Sequence, residues 1–330
     1  MELVCPAGNL PSLKAAIQQG ADAVYIGFKN QTNARHFAGL NFNDRKARDA
    51  IAEVRNRGKK LFVAINTYAN NDSLADWHKA VDEAHAIGAN AVILADIGLM
   101  EYCTRKYPDL TIHLSVQGSA TSLPALQFYQ SHFNVKRAVL PRVLSLKQVR
   151  YLAEQSTMDL EVFGFGSLCI MAEGRCHLSS YLCGESPNKN GACSPARFVE
   201  WREHPAYLET RLNNVVIDRF KADEKAGYPT LCKGRFQVED QLYHTLEWPT
   251  SLNTLAILPE LQQAGVKAIK IEGRQRSPAY IENVARIWRA ALDQLTKDQP
   301  YQVKDEWMST LATYAEGEQT TLGAYDRPWQ

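Results

Sequence analysis

Three segments of the chain repeat one local plan, and that plan constrains the fold more than any bulk property does. They are Gln19-Gly20-Ala21-Asp22-Ala23-Val24-Tyr25-Ile26-Gly27, Ile87-Gly88-Ala89-Asn90-Ala91-Val92-Ile93-Leu94-Ala95-Asp96 and Ala264-Gly265-Val266-Lys267-Ala268-Ile269-Lys270-Ile271-Glu272-Gly273. Each reads as the end of a helix closed by glycine, a short turn, and a buried strand. Glycine suits the junction because it accepts the left-handed conformation that terminates a helix. Between such units the apolar residues recur at helical spacing: Ala47, Ala50, Ile51 and Val54 form one face, and Ile281, Val284, Trp288 and Leu292 another. Strands are predicted near residues 2–5, 22–28, 60–66, 91–95, 111–116, 136–140, 159–165 and 267–272. Eight strands alternating with helices predict an α/β fold, a TIM-type (β/α)8 barrel. A doubly wound open sheet is the rival, because periodicity alone does not establish closure.

The alternation breaks once, after the seventh strand. Residues 1–166 are expected to hold the first seven βα units, and residues 167–250 a cysteine-rich insertion with a short strand at Val215-Val216-Ile217. Helical periodicity resumes at Leu252, so residues 251–297 are expected to complete the barrel. Residues 298–330 form a tail, and Glu316 to Gln330, polar and aromatic without a period, is expected to pack irregularly.

With 330 residues, 45% hydrophobic, the chain can bury a sizeable core. A net charge of +1 predicts no strong field for nucleic acid or anionic lipid. The opening Met1-Glu2-Leu3-Val4-Cys5-Pro6 lacks a cationic lead and a long apolar stretch, and no apolar run is long enough to cross a bilayer. A cytoplasmic location is expected. The seven cysteines are unevenly spread: Cys5 and Cys103 stand apart, whereas five fall between positions 169 and 232. In a cytoplasmic chain such clustering points to metal or redox chemistry ahead of disulfides.

Cys169 follows the seventh strand, at the end of a barrel where active sites are built. Cys176 lies in Gly174-Arg175-Cys176-His177, Cys193 in Gly191-Ala192-Cys193-Ser194-Pro195, and Cys232 in Leu231-Cys232-Lys233-Gly234. Four thiolates suit a cubane iron–sulfur cluster, because thiolate and iron are soft partners. A structural zinc is the second possibility, although closely spaced C-x2-4-C pairs are absent; buried, inert cysteines are the third.

The stretch Glu161–Ser179 matches, position for position, the signature E-x-F-x2-G-[SA]-[LIVM]-C-x4-G-x-C-x-[LIVM]-S. On that ground the chain resembles the collagenase-like peptidase family U32. Leu3-Val4-Cys5-Pro6-Ala7-Gly8-Asn9 and Lys270-Ile271-Glu272-Gly273-Arg274 look like the same family. Thr32 to Phe42, Gly184-Glu185-Ser186-Pro187 and Thr320-Thr321-Leu322-Gly323-Ala324-Tyr325 resemble its branch in oxygen-independent ubiquinone biosynthesis. The resemblance implies a [4Fe–4S] cluster on Cys169, Cys176, Cys193 and Cys232, with Cys183 a spare thiol outside the ligand set. It implies an oxidoreductase: the iron–sulfur subunit of an oxygen-independent hydroxylase acting on the ring of ubiquinone precursors. The implied partners are a second cluster-bearing family member, in a heterodimer, and a lipid-binding accessory protein of the sterol-carrier type. Family members that hydroxylate RNA bases are associated with prephenate as oxygen donor, and the same donor is expected here.

The alternative within the family is hydroxylation of an RNA base. The basic stretch Arg45-Lys46, Arg48, Arg55, Arg57, Lys59-Lys60 could contact phosphates. It reads equally as a solvated outer helix interrupted by Asp44, Asp49 and Glu53. RNA-directed members tend to be longer, with further C-terminal modules, and the near-neutral charge also weighs against RNA. A peptidase is the lesser alternative: no H-E-x-x-H or G-x-S-x-G motif is present, and Ser167 has no local base. A non-catalytic cluster-bearing subunit is a further role.

Pocket candidates come from the C-terminal strand ends: Arg35, His36, Asn66, Asp96, Gln117, Arg142, Glu272 and Arg274. Arg35, Arg142 and Arg274 could hold a dicarboxylate such as prephenate, since guanidinium pairs bidentately with carboxylate, and His36 could move protons. Internal ion pairs that hold the barrel mouth are the competing account. His113 is expected to be a satisfied core histidine, and Tyr25 and Phe28 packing residues. Without a glycine-rich nucleotide fingerprint or Walker motif, no tightly bound nicotinamide or ATP is expected.

Overall fold

The three repeated glycines take the left-handed conformation their position demands, with φ of +88° at Gly20, +72° at Gly88 and +94° at Gly265. A side chain there would strain the backbone, so the helix-to-strand turn is written into the sequence. In the computed structural model, which describes residues 1–36, 39–169, 176–187, 192–297 and 299–327, each of these turns feeds a strand of one sheet. Its parallel strands are β1 (Glu2–Pro6), β2 (Ala23–Gly27), β3 (Lys60–Ile65), β4 (Ala91–Leu94), β5 (Thr111–Leu114), β6 (Arg137–Val139) and β7 (Asp159–Ser167). The eighth barrel strand is Ala268–Ile271. It pairs with β1 on one side, Glu2 opposite Ala268, and with β7 on the other, Ala268 opposite Glu161. Those two ladders close the sheet, so the fold is the TIM-type barrel and not the open sheet.

Helices cover the outside as the periodicity requires. Helix Asp44–Asn56 starts at Asn43, whose side chain accepts from the Lys46 N–H at 3.0 Å, and buries the predicted face Ala47, Ala50, Ile51 and Val54. Capping satisfies one of the donors a helix start leaves open. Helix Pro278–Gln294 starts at Ser277 and buries Ile281, Val284, Trp288 and Leu292. The main core lies between these helices and the barrel wall. The bore is filled differently: Val4, Ala23, Tyr25, Phe62, Ala64, Ala91, Ile93 and Ala268 form a separate cluster inside it. Four of those are alanines, and the room they leave admits long charged side chains from β6, β7 and the eighth strand.

After β7 the chain leaves the barrel. Between positions 168 and 250 lie helix His177–Cys183 and five strands: β8 (Val199–Glu203), β9 (Leu208–Leu212) and β10 (Val215–Phe220), paired antiparallel, then the hairpin of β11 (Arg235–Val238) and β12 (Gln241–His244). The strand expected at Val215–Ile217 is therefore real and longer. Two expectations fail here. Leu252 does not begin a helix: Ser251–Asn253 is β13, antiparallel to β7, and the helix starts at Leu258. Leu252, Leu255 and Leu258 mimic helical spacing, but Leu252 is held by the ladder to Gly166. Nor is the tail wholly irregular: with β14 assigned to Ala268–Ile271, Thr320–Thr321 is β15 and pairs parallel with β13, Ser251 opposite Thr320. No helix among the described residues is long and apolar enough to cross a membrane.

Candidate functional site at the barrel mouth

The C-terminal strand ends converge on Glu272. Its carboxylate accepts from the Ser167 N–H at 2.8 Å and pairs with Arg35 at 3.6 Å and Arg142 at 3.9 Å. Burial works to raise this carboxyl, but Arg142, Arg35 and Arg276 together with the Ser167 N–H outweigh it and hold it below the ordinary range. The approach depends on Gly166, at φ +141°, where a Cβ would stand 2.5 Å from that of Glu272. The Arg142 guanidinium also lies 3.6 Å from the centre of the Phe163 ring.

The other predicted pocket residues fall into two groups. Arg274 is buried and donates to Asn33 Oδ1 at 3.0 Å, with its guanidinium 5.7 Å from the Tyr25 ring centre. Burial pulls its pKa down to about 10. Asn66 accepts from the Ala34 N–H at 3.0 Å and anchors the loop that carries Arg35. Gln117 is buried, and among the described residues its Oε1 has no hydrogen-bond partner. His36 is half-buried, with its pKa lowered by burial and by Lys29. Asp96 has a local duty: its carboxylate caps helix Ile97–Lys106 by accepting from the Leu99 N–H at 2.9 Å. Arg35 and Arg142 are thus joined by one carboxylate, while Asp96 stands outside that arrangement.

The four candidate ligands lie in one electrostatic neighbourhood beside the same mouth. Cys232 is within electrostatic reach of Cys193, Cys169 and Cys176, and Cys193 also feels Arg35 and Glu272. Burial pushes the Cys232 thiol up to about 11 and raises that of Cys193. Such thiols give up their protons to a metal when it binds. Among the described residues no three His, Cys, Asp or Glu groups are close enough to hold one metal ion. Gly174, Arg175 and Gly191 of the motifs lie outside the described residues. Cys183 is buried against Leu212 and Ile217, and it feels the charge of Cys193.

Sequence reasoning missed two side chains here. Lys233, next to Cys232, is 11% exposed at its side chain and pairs with Glu316. Glu316 also accepts from Ser167 Oγ at 2.6 Å and lies 3.9 Å from Arg276. Adjacency to Cys232 was the available signal for Lys233; for Glu316 no local signal exists.

The base of the barrel holds a second charged group. Lys270 Nζ donates to Glu161 at 2.6 Å, and Arg137 reaches Glu161 at 3.3 Å, Glu2 at 2.7 Å and Asp159 at 3.7 Å. A cavity of about 550 Å³ opens there, lined in part by Glu2, Lys60, Arg137 and Asp159. Its location opposes the usual site of chemistry in this fold, and Glu2, Lys60, Arg137 and Asp159 are engaged in ion pairs there. His113 borders this group and corrects an expectation: it is buried edge-on to Phe62, but among the described residues Nδ1 has no partner. Burial, then Arg137 and Lys270, hold it neutral far below its ordinary pKa. Tyr25 and Phe28 are buried, and the Tyr25 hydroxyl donates to the Ile271 carbonyl at 2.9 Å. The basic stretch runs along the outside and is partly neutralised: Arg57 pairs with Glu53, Lys59 with Asp22 and Lys60 with Glu2.

Residues 8–327 match the family described as peptidase family U32. The tRNA hydroxylation protein P1 of Bacillus subtilis (strain 168) is 29% identical over 314 residues, covering 94% of this chain and 67% of that protein. The tRNA hydroxylation protein P of Escherichia coli (strain K12) is 29% identical over 321 residues, covering 91% and 69%. A protein named collagenase from Porphyromonas gingivalis (strain ATCC BAA-308 / W83) is 29% identical over 311 residues, covering 88% and 65%. The chain spans about two thirds of the length of these relatives.

Proposed function

The chain belongs to peptidase family U32, and from that premise we propose that it is the iron–sulfur subunit of an oxygen-independent ring hydroxylase. The observation that carries the proposal is that the cysteines share an electrostatic neighbourhood with the strand-end site built on Glu272, Arg35 and Arg142. In this proposal Cys169, Cys176, Cys193 and Cys232 hold a [4Fe–4S] cluster, which supplies one-electron chemistry when bound. Arg35, Arg142 and Arg274 orient an anionic oxygen donor, with prephenate as the candidate, by charge-assisted hydrogen bonds. The hydroxylation proteins among the relatives support the reaction class. A peptidase is less well supported: the Ser167 hydroxyl donates to Glu316, and among the described residues no histidine is hydrogen-bonded to it.

Two substrates fit a ring hydroxylase. The named relatives weigh toward an RNA base, and more so than toward a quinone precursor. The ring of ubiquinone precursors is the second reading. It is carried by the long stretches Thr32–Phe42, Gly184–Pro187 and Thr320–Tyr325, which resemble UbiU of that pathway. On that reading a UbiV-like protein is the heterodimer partner, a UbiT-like protein the lipid-binding accessory, and the cytoplasm the site of action.

The test begins with anaerobic purification, alone and with the UbiV-like protein, followed by iron and sulfide analysis. Alanine at any of the four cysteines should lose iron, whereas Cys183→Ala should keep it; zinc without iron in the parent protein would refute the cluster. Quinone and tRNA from anoxic cells lacking the gene then separate the substrates. Loss of ubiquinone with intact tRNA hydroxylation supports the quinone ring, and the converse supports RNA.

A further inference from the structure

The tail returns to the mouth and fastens the cysteine segment at both of its ends. Glu316 accepts from Ser167 Oγ at 2.6 Å, two residues before Cys169, and pairs with Lys233, the neighbour of Cys232. Its own N–H donates to Ser251 Oγ at 2.9 Å, and Gln319 and Thr320 continue the contact along β13. Gly317 lets the strap pass close to the barrel: a Cβ there would stand 2.3 Å from the Pro249 carbonyl oxygen. One side chain thus bridges chain segments on either side of the four thiols.

The geometry points to a tuning role: we propose that the Lys233–Glu316 pair sets the reduction potential of the cluster, while Glu316 ties Ser167 to Lys233 on either side of its ligands. The inference rests on the iron–sulfur reading above. Lys233 is almost enclosed, and its charge is felt at both Cys232 and Cys193. A charge beside a cluster shifts its potential because reduction makes the cluster one unit more negative, and an enclosed site screens that interaction poorly. With Glu316 present the pair is neutral. Remove the carboxylate, and the uncompensated ammonium favours the reduced form. Remove the ammonium, and the carboxylate disfavours it.

The experiment is a dithionite titration of the anaerobic holoprotein followed by electron paramagnetic resonance, with cluster loss in air timed by visible absorption. Glu316→Gln should raise the potential, Lys233→Met should lower it, and the double variant should return near the parent value. Ser167→Ala, which cuts one tie without changing charge, should speed cluster loss and leave the potential in place. If Glu316→Gln holds no iron, Lys233→Met and the double variant carry the test. Single variants that retain iron but shift together, or do not shift, overturn the inference and leave the cluster standing. A parent protein without iron overturns the cluster reading and the inference with it.

Discussion

The two ends of the barrel both bury charge, but they balance it differently. At the base, Arg137, Lys60 and Lys270 are held in ion pairs with Glu2, Asp159 and Glu161, and Arg289 pairs with Asp22 beside them. At the mouth, Arg35, Arg142, Lys233, Arg274 and Arg276 gather about Glu272, with Glu247 and Glu316 beside Lys233. Charges held in close ion pairs can be buried without a further ligand. Guanidinium groups gathered at an open strand-end site can engage an arriving anion, and a cluster bearing four thiolates or an anionic donor would be such an anion. The base therefore looks like structure and the mouth like a site, although a cavity opens at the base.

The sharpest way to break that contrast is at the base. Arg137→Met would leave Glu161, 1% exposed, with one fewer counter-charge, and stability should fall by about 3–5 kcal/mol in urea unfolding. A loss as small as that of the exposed Arg105→Met, about 0–1 kcal/mol, would show that the base is not a closed network. Glu272→Gln should cost less, about 1.5–3 kcal/mol, because the amide oxygen still accepts from the Ser167 N–H.

A gentler test adds an anion instead of removing a residue. A small dicarboxylate at ten times its dissociation constant should stabilise the protein by about 1.4 kcal/mol in thermal unfolding. Arg142→Gln should weaken that response and Lys60→Gln should not; equal weakening would erase the distinction between the ends. The smallest effect is in acid. Burial works to raise the Glu2 carboxyl, but Lys60 and Arg137 outweigh it and hold its pKa below the ordinary 4.5. A depressed folded pKa means stability that is present above 4.5 and lost as pH falls through the folded value. Unfolding measured across that window should show a flatter acid slope in Glu2→Gln than in the parent.

How much of this was readable beforehand depends on the range of the signal. Gly20, Gly88 and Gly265 announced their strands because a left-handed turn is a local demand. Alternating apolar faces placed eight barrel strands within a few residues of where they lie, and the strand-end rule put Arg35, Arg142 and Glu272 in one neighbourhood. The same local logic misjudged Leu252, since one leucine serves a helix face or a ladder equally well, and β13 exists only because β7 extends to meet it.

By itself the sequence determined the helix-and-strand alternation, the family signature and the cysteines worth watching, each encoded within a few neighbouring residues. Tertiary structure alone decided that the sheet closes, and that Lys270 meets Glu161 across 109 positions. It alone decided that Glu316 reaches Ser167 across 149. The physical reason is that the attraction between two charges depends on their separation in space and on how far water is excluded, and neither exists until the chain has folded.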